Sequence, residues 1–200
     1  MPIIQLQHPT DALDACRKEA LAQRLTDVLL HMEGDEHTPG GRGFATVIFL
    51  PVATGDWWVG GRTDDTHVTA PGRFLAHVTI PEGYINQAHK TEVHADVARA
   101  ITDVVDPGGS GPGSSIQVII DEVPEGNWGA GGHTITLDHI ADVVGLPKDG
   151  PRWRWVEQYF AAKARANAAA GYPADRGGLL EPQPTSSSAI SSSSPAAVPH

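Results

Sequence analysis

Two hundred residues, 40% of them apolar, suffice for one ordinary domain with a substantial core or for two small ones. The 14 basic side chains against 24 acidic ones leave a formal charge of -10, which argues against a nucleic-acid backbone or an anionic membrane as the main partner. Cys16, the one cysteine, has no partner for an internal disulfide. No stretch approaches the ~20 apolar residues of a membrane span or has a signal-peptide layout, so a cytoplasmic protein is expected.

The chain opens Met1-Pro2-Ile3-Ile4. Met1 precedes a small residue of the kind aminopeptidases leave exposed, so the mature chain is expected to begin with the secondary amine of Pro2. A free α-amino group titrates near pH 8, and an apolar pocket lowers this until the amine serves as a base near neutrality. Residues 2–8 alternate apolar Ile4 and Leu6 with Gln5 and Gln7, the period of a strand. Thr10 or Asp11 is expected to cap a helix over 12–32, in which Leu13, Cys16, Ala20, Leu21, Leu25, Val28, Leu29 and Met32 recur at helical spacing. That spacing puts Cys16 on the buried side. A polar loop, GDEHTPGGRG, leads to FATVIFLPV at 44–52, read as a strand buried on both faces, and ATGDWWVGG reads as a hairpin.

The pattern then starts again, with a strand over 73–83, an amphipathic helix over 85–105 through Val93, Val97, Ile101 and Val104, and a strand over 115–123. TVIFLPVATGDWWVGG (46–61) aligns without a gap on QVIIDEVPEGNWGAGG (117–132) at a constant offset, since 128 minus 57 and 118 minus 47 both give 71. An internal repeat of this length marks duplicated units. Each unit is strand, helix, strand, and a right-handed crossover makes its two strands parallel. The expected fold class is therefore α/β: two fused βαβ units, 2–62 and 73–132, forming a four-stranded sheet with both helices on one face. The other face is left as bare apolar surface, so association is expected. Beyond Gly132, a brief helix stopped by Gly145 completes a domain over 1–145. A helical extension over 146–170 is to lie across the body or against a neighbouring subunit through Trp153, Trp155, Val156 and Phe160. The Ser/Pro-rich 171–200 reads as a disordered tail.

The Met1-Pro2-Ile3 start, the βαβ units and VIIDEVPEGNWGAGG together resemble the tautomerase superfamily, specifically its 4-oxalocrotonate tautomerase and cis-3-chloroacrylic acid dehalogenase group. The resemblance spans about 2–145 and is more specific in the second unit. It implies a homotrimer of fused units and an isomerase in which Pro2 is the general base. Arg73-Phe74 opens the second unit inside the chain, so one proline per chain can serve. The glycine hairpin is expected to bring Trp128 near Pro2 as an apolar wall. The family's arginines are absent: Thr10 or Asp11 and Thr46 in the first unit, and Tyr84 and Gln117 in the second, stand at the corresponding positions. Leu29 stands where the dehalogenases carry histidine. Tyr84 and Gln117 remain as single hydrogen-bond donors to an enol or carbonyl oxygen, and Arg42, Arg62 or Arg73 is the remaining source of a cation.

The expected activity is enol to keto proton transfer on a small 2-oxo compound, with no cofactor. The alternatives are a noncatalytic tautomerase-like binding or assembly protein and a decarboxylase or hydratase of the same superfamily. Its ten histidines lack an HxxxH or HxH pair, so no metal site is expected. Trp57, Trp58 and Trp128 read as packing anchors at subunit contacts rather than ligand-stacking groups. GNWGAGG follows a strand without opening a long helix, which fits a hairpin better than a phosphate loop.

Overall fold

Ile4, Leu6 and His8 are fully buried while Gln5 between them is exposed, so the first strand commits one face to the core and fixes the side on which the helices must pack. The computed structural model describes residues 2–33, 39–109, 111–174 and 176–180. Strand β1 (Ile3–Pro9) is followed by helices α1 (Ala15–Glu33) and α2 (Pro39–Phe44) and strand β2 (Thr46–Val52). Strand β3 (Phe74–Pro81), helix α3 (Gln87–Val105) and strand β4 (Ile116–Val123) repeat the plan. A small hairpin, β5 (Gly129–Ala130) with β6 (His133–Thr134), and helices α4 (Leu137–Val144) and α5 (Pro151–Ala169) follow.

The sheet order is β2-β1-β3-β4, with β1 parallel to β2, β3 parallel to β4, and β1 antiparallel to β3. The offset of 71 carries Gln5 to Ala76 and Leu6 to His77, and Gln5 pairs with His77 as Leu6 pairs with Ala76. The duplication is thus an approximate two-fold axis through the centre of the sheet. Both units also turn alike after their second strand. Gly60 and Gly61 (φ 59° and 78°) close the Val59–Arg62 bridge, and Gly131 and Gly132 (φ 59° and 81°) close β5 on β6, positive φ at both turn residues favouring glycine.

Leu21, Leu25 and Leu29 of α1 and Val93, Val97 and Ile101 of α3 meet Ile4, Leu6, Phe74, Ala76, Val78 and Ile80 in one core. Each such side chain contributes about 1.5 to 3 kcal/mol by leaving water. Leu137, Ile140 and Val144 of α4 and Trp153, Val156 and Phe160 of α5 belong to the same core. Gly145 ends α4 at φ 78°, as its position in the sequence foretold.

Five local expectations are corrected. Strand β2 is an edge strand, and Thr46, Ile48 and Pro51 are exposed, so it is not buried on both faces. Cys16 is exposed, because α1 starts at Ala15 and its first turn overhangs the sheet. The amide of Arg17 is capped by Asp14 Oδ1 at 2.8 Å, while Thr10 bonds to the Val52 carbonyl instead. Part of the expected 34–43 loop forms α2. Trp155 is 41% exposed and takes no part in docking α5. The sheet face away from the helices is mixed rather than bare apolar: Ile48 and Ile119 stand among exposed Gln5, Thr46, Gln117 and Asp121. The expected disorder at 181–200 lies outside the described residues.

Candidate active site

Strand polarity gathers the candidate chemistry at one end of the sheet. Pro2 heads β1 and is buried, and its carbonyl accepts from the Thr46 amide at 3.1 Å at the start of β2. Because β1 runs against β3, Pro2 lies at the level where β3 ends and the chain turns through Glu82-Gly83-Tyr84. Helix α1 returns from the far end and stops at Glu33, and α5 begins close by at Pro151-Arg152.

Glu33 is the residue that the sequence reading missed. It is 2% exposed, and its carboxyl is pushed up to about 7 by burial, against the opposing pull of the chain's amino terminus and of Arg152. The Tyr84 hydroxyl donates to the Glu33 main-chain carbonyl at 2.9 Å, and Arg152 donates to the Met32 carbonyl. These two bonds satisfy carbonyls that the last turn of α1 leaves open. The Arg152 guanidinium also stands 5.7 Å from the centre of the Tyr84 ring, a cation–π contact. Burial, together with the charge of Glu33, raises the Tyr84 hydroxyl above its ordinary range. Across the cluster on α3, burial and then Arg152 hold His89 below its ordinary value.

A signal for Glu33 was present in the sequence. It continues the buried stripe Leu21, Leu25, Leu29 by one more step of four, so a charged residue stands where the period asks for an apolar one. Arg152 lies outside both repeats and gave no such sign.

The predicted site residues are distributed as follows. Tyr84 reaches the Pro2 end but is 1% exposed, with its proton committed to Glu33. Trp128 is half-buried after β4, at the same sheet end as Pro2, where the glycine hairpin lines a cleft of about 380 Å³. Gln117 pairs with Leu75, which pairs with Gln7, so within one chain it sits toward the opposite end of the sheet, exposed on the face away from the helices. Of the arginines considered as cation sources, Arg42 is engaged with Asp27 at 2.9 Å and Arg62 with Asp64. Arg73 is buried at the far end, bonded to the carbonyls of Trp57, Thr63 and Asp64 and to Asp65 Oδ1 at 2.7 Å. Trp58, expected as a packing anchor, is 63% exposed in the single chain. Among the described residues no group of three His, Cys, Asp or Glu has metal-binding geometry, and no helix is long and apolar enough to cross a membrane.

Two further ion pairs brace this end. Glu82 receives Lys163 Nζ at 2.6 Å and the Tyr159 hydroxyl at 2.7 Å, tying the turn after β3 to α5. Burial works against its ionised carboxyl, but these partners hold it below the ordinary range. Lys90 Nζ meets Glu122 at 2.6 Å between α3 and β4.

The fold defines the class. The chain superimposes on N1, a member of the cis-3-chloroacrylic acid dehalogenase family, with a TM-score of 0.57 at 19% identity, covering 76% of this chain and 97% of that one. It is similar to native fused 4-OT, with a TM-score of 0.54, 22% identity and coverage of 66% and 94%. A fused 4-OT described as a symmetric trimer gives a TM-score of 0.53 at 18% identity over 70% and 98%. A search of curated protein sequences finds no match. Residues 76–138, most of the second unit, match the family model described as tautomerase enzyme. Its second unit thus matches the tautomerase family model, and the chain as a whole has the fold of the fused two-unit 4-OT and cis-3-chloroacrylic acid dehalogenase structures.

Proposed function

We propose that the protein is a cofactor-independent tautomerase in which the amine of Pro2, freed by loss of Met1, moves the proton between carbon and oxygen of a small 2-oxo compound. The observation that carries this reading is the position of Pro2, buried at the head of β1 at the one sheet end that also holds Glu33, Tyr84 and Arg152. In the keto to enol direction the neutral amine takes a proton from the carbon beside the carbonyl, and in reverse it returns it. Burial disfavours the ammonium form, which favours a base. Of the cations at this end, Lys163 and Lys90 are taken up by Glu82 and Glu122, which leaves Arg152 to match one carboxylate. An arylpyruvate enol fits that demand, and Trp128 supplies apolar area for its ring. The active form is a trimer, in line with the fused relatives, and the mixed face of the sheet supplies the contact between copies.

The test is ketonisation of the phenylpyruvate enol by the wild type and by Pro2→Ala, with intact mass reporting whether Met1 is removed. Retention of Met1 turns the Pro2 nitrogen into an amide and ends this reading. Sedimentation at micromolar concentration checks the assembly, and a monodisperse monomer removes it.

A further inference from the structure

A carboxylate at Glu33 has three physical arguments against it. It is 2% exposed, it closes the C-terminal turn of α1 where the helix dipole already presents negative charge, and it occupies the next step of a leucine stripe. A leucine there would extend the core, so packing alone gives no reason for the acid. The charges that act on it are the chain's amino terminus ahead of β1 and Arg152 at the start of α5, while Glu82 with Lys163 and Glu122 with Lys90 pair off at the same end. Tyr84, after β3, holds its main chain, and His89 of α3 lies on the other side of Arg152. Arg152 is itself fixed by the Met32 carbonyl and the Tyr84 ring, so the end of α1 that carries Glu33 is held at the sheet end where Pro2 heads β1.

From this placement, we infer that Glu33 is the second acid–base group of the site, exchanging with the substrate oxygen the proton that Pro2 exchanges with carbon. The inference rests on the tautomerase reading above and adds a residue to it. In the keto to enol direction the Pro2 nitrogen takes the proton from C3 as the C3–H pair becomes the C2–C3 double bond. The carbonyl π pair moves onto oxygen and takes the proton of the Glu33 carboxylic acid. The site is left as ammonium and carboxylate, and passage of that proton from Pro2 to Glu33 restores it. No oxidant, metal or further reactant is needed. A carboxyl that ionises near 7 is suited to this exchange, since it gives and accepts a proton at little cost near neutral pH. Tyr84 and Arg152 act as positioning residues.

Glu33→Gln tests the inference, because it keeps the shape and hydrogen-bonding capacity and removes the titration. Two readouts are taken on the full chain. The first is phenylpyruvate enol turnover, with kcat expected to fall about a hundredfold or more while KM moves by less than about threefold. The second does not depend on activity. With ¹⁵N-labelled proline, the Pro2 amine resonates apart from the amides, and its titration midpoint is expected to fall by about one pH unit in Glu33→Gln as the nearby carboxylate is lost. An unchanged midpoint overturns the inference whatever the rate does. Full kcat in Glu33→Gln beside an inactive Pro2→Ala also overturns it and leaves the tautomerase reading intact. A wild type that ignores the enol but shows the shifted midpoint keeps the coupled pair and removes the substrate assignment. Circular dichroism of Glu33→Gln separates any of these from a loss of fold.

Discussion

The two ends of the sheet are related by the internal repeat and built for opposite purposes. At one end Pro2 heads β1; at the other, 71 residues on, Arg73 precedes β3. Both positions are buried, and both sit where a unit begins. At Arg73 three carbonyls and the Asp65 carboxylate take up the two terminal nitrogens of the guanidinium, and the loop from Trp57 to Asp65 is pinned to the sheet. At Pro2 the surroundings are charged and titratable, with Glu33 and Arg152 brought in by α1 and α5. The lesson is that duplication copies a backbone but not a site. The internal copy carries Arg73 at the matching place and became a clamp.

The comparison can be broken most sharply at Pro2. Pro2→Ala is expected to lower kcat/KM for the phenylpyruvate enol by about 10² to 10⁴, the range of a positioned general base, with little change in melting temperature. Equal activity in this variant would make the two ends alike in being merely structural. Arg73→Ala is expected to behave the opposite way. It leaves three carbonyls short of a donor in a buried place and should cost about 3 kcal/mol in urea unfolding, while the rate per folded molecule stays within about twofold.

The acid at the Pro2 end predicts a pH dependence of the same order. Glu33 ionises near 7 when folded and near 4.5 when unfolded, so between these values the folded chain holds more protons and stability falls as pH rises. The stabilisation is complete below about 4.5, is lost through 7, and amounts to about 2 to 3 kcal/mol. Denaturant titrations at a series of pH values should show this slope in wild type and its absence in Glu33→Gln. Glu82 acts with the opposite sign, because Lys163 and Tyr159 lower its carboxyl and its contribution is lost as pH falls through the folded value.

The smallest expected effects concern substrate choice. A bidentate arginine to carboxylate contact is worth roughly 1.5 to 3 kcal/mol, so a site with one nearby cation should favour the phenylpyruvate enol over the dicarboxylate 2-hydroxymuconate by about one to two decades in kcat/KM. Trp128→Ala should raise KM for the aromatic enol several-fold and leave the dicarboxylate nearly unaffected. Gln117→Arg sharpens the point: it can assist the dicarboxylate only if a neighbouring copy brings position 117 to Pro2, since within one chain the two lie toward opposite ends of the sheet. Efficient turnover of 2-hydroxymuconate by the wild type would show that a second cation reaches the pocket.

Local rules acting along the chain determined the repeat, the two βαβ units, the parallel pairing within each, the glycine turns and the helix stop at Gly145. Strand alternation, helical periodicity and positive φ at glycine are short-range effects, and they are written residue by residue. The place of Pro2 at the head of β1 was legible for the same reason. Tertiary structure decided the rest. Which strand lies at the edge depends on how the two units join, and that exposed β2 against the reading of its apolar run. Cys16 faces outward in the exposed first turn of α1, and Trp155 faces outward on the side of α5 away from the buried Trp153 and Val156. Residues 33, 84 and 152 meet at the sheet end that Pro2 heads only in the fold, and the burial that raises Glu33 exists only once α1 ends and α5 begins there. Burial and charge proximity are properties of the assembled chain, so the acid that ends a leucine stripe is only an irregularity in sequence and a buried carboxyl beside Tyr84 and Arg152 in the fold.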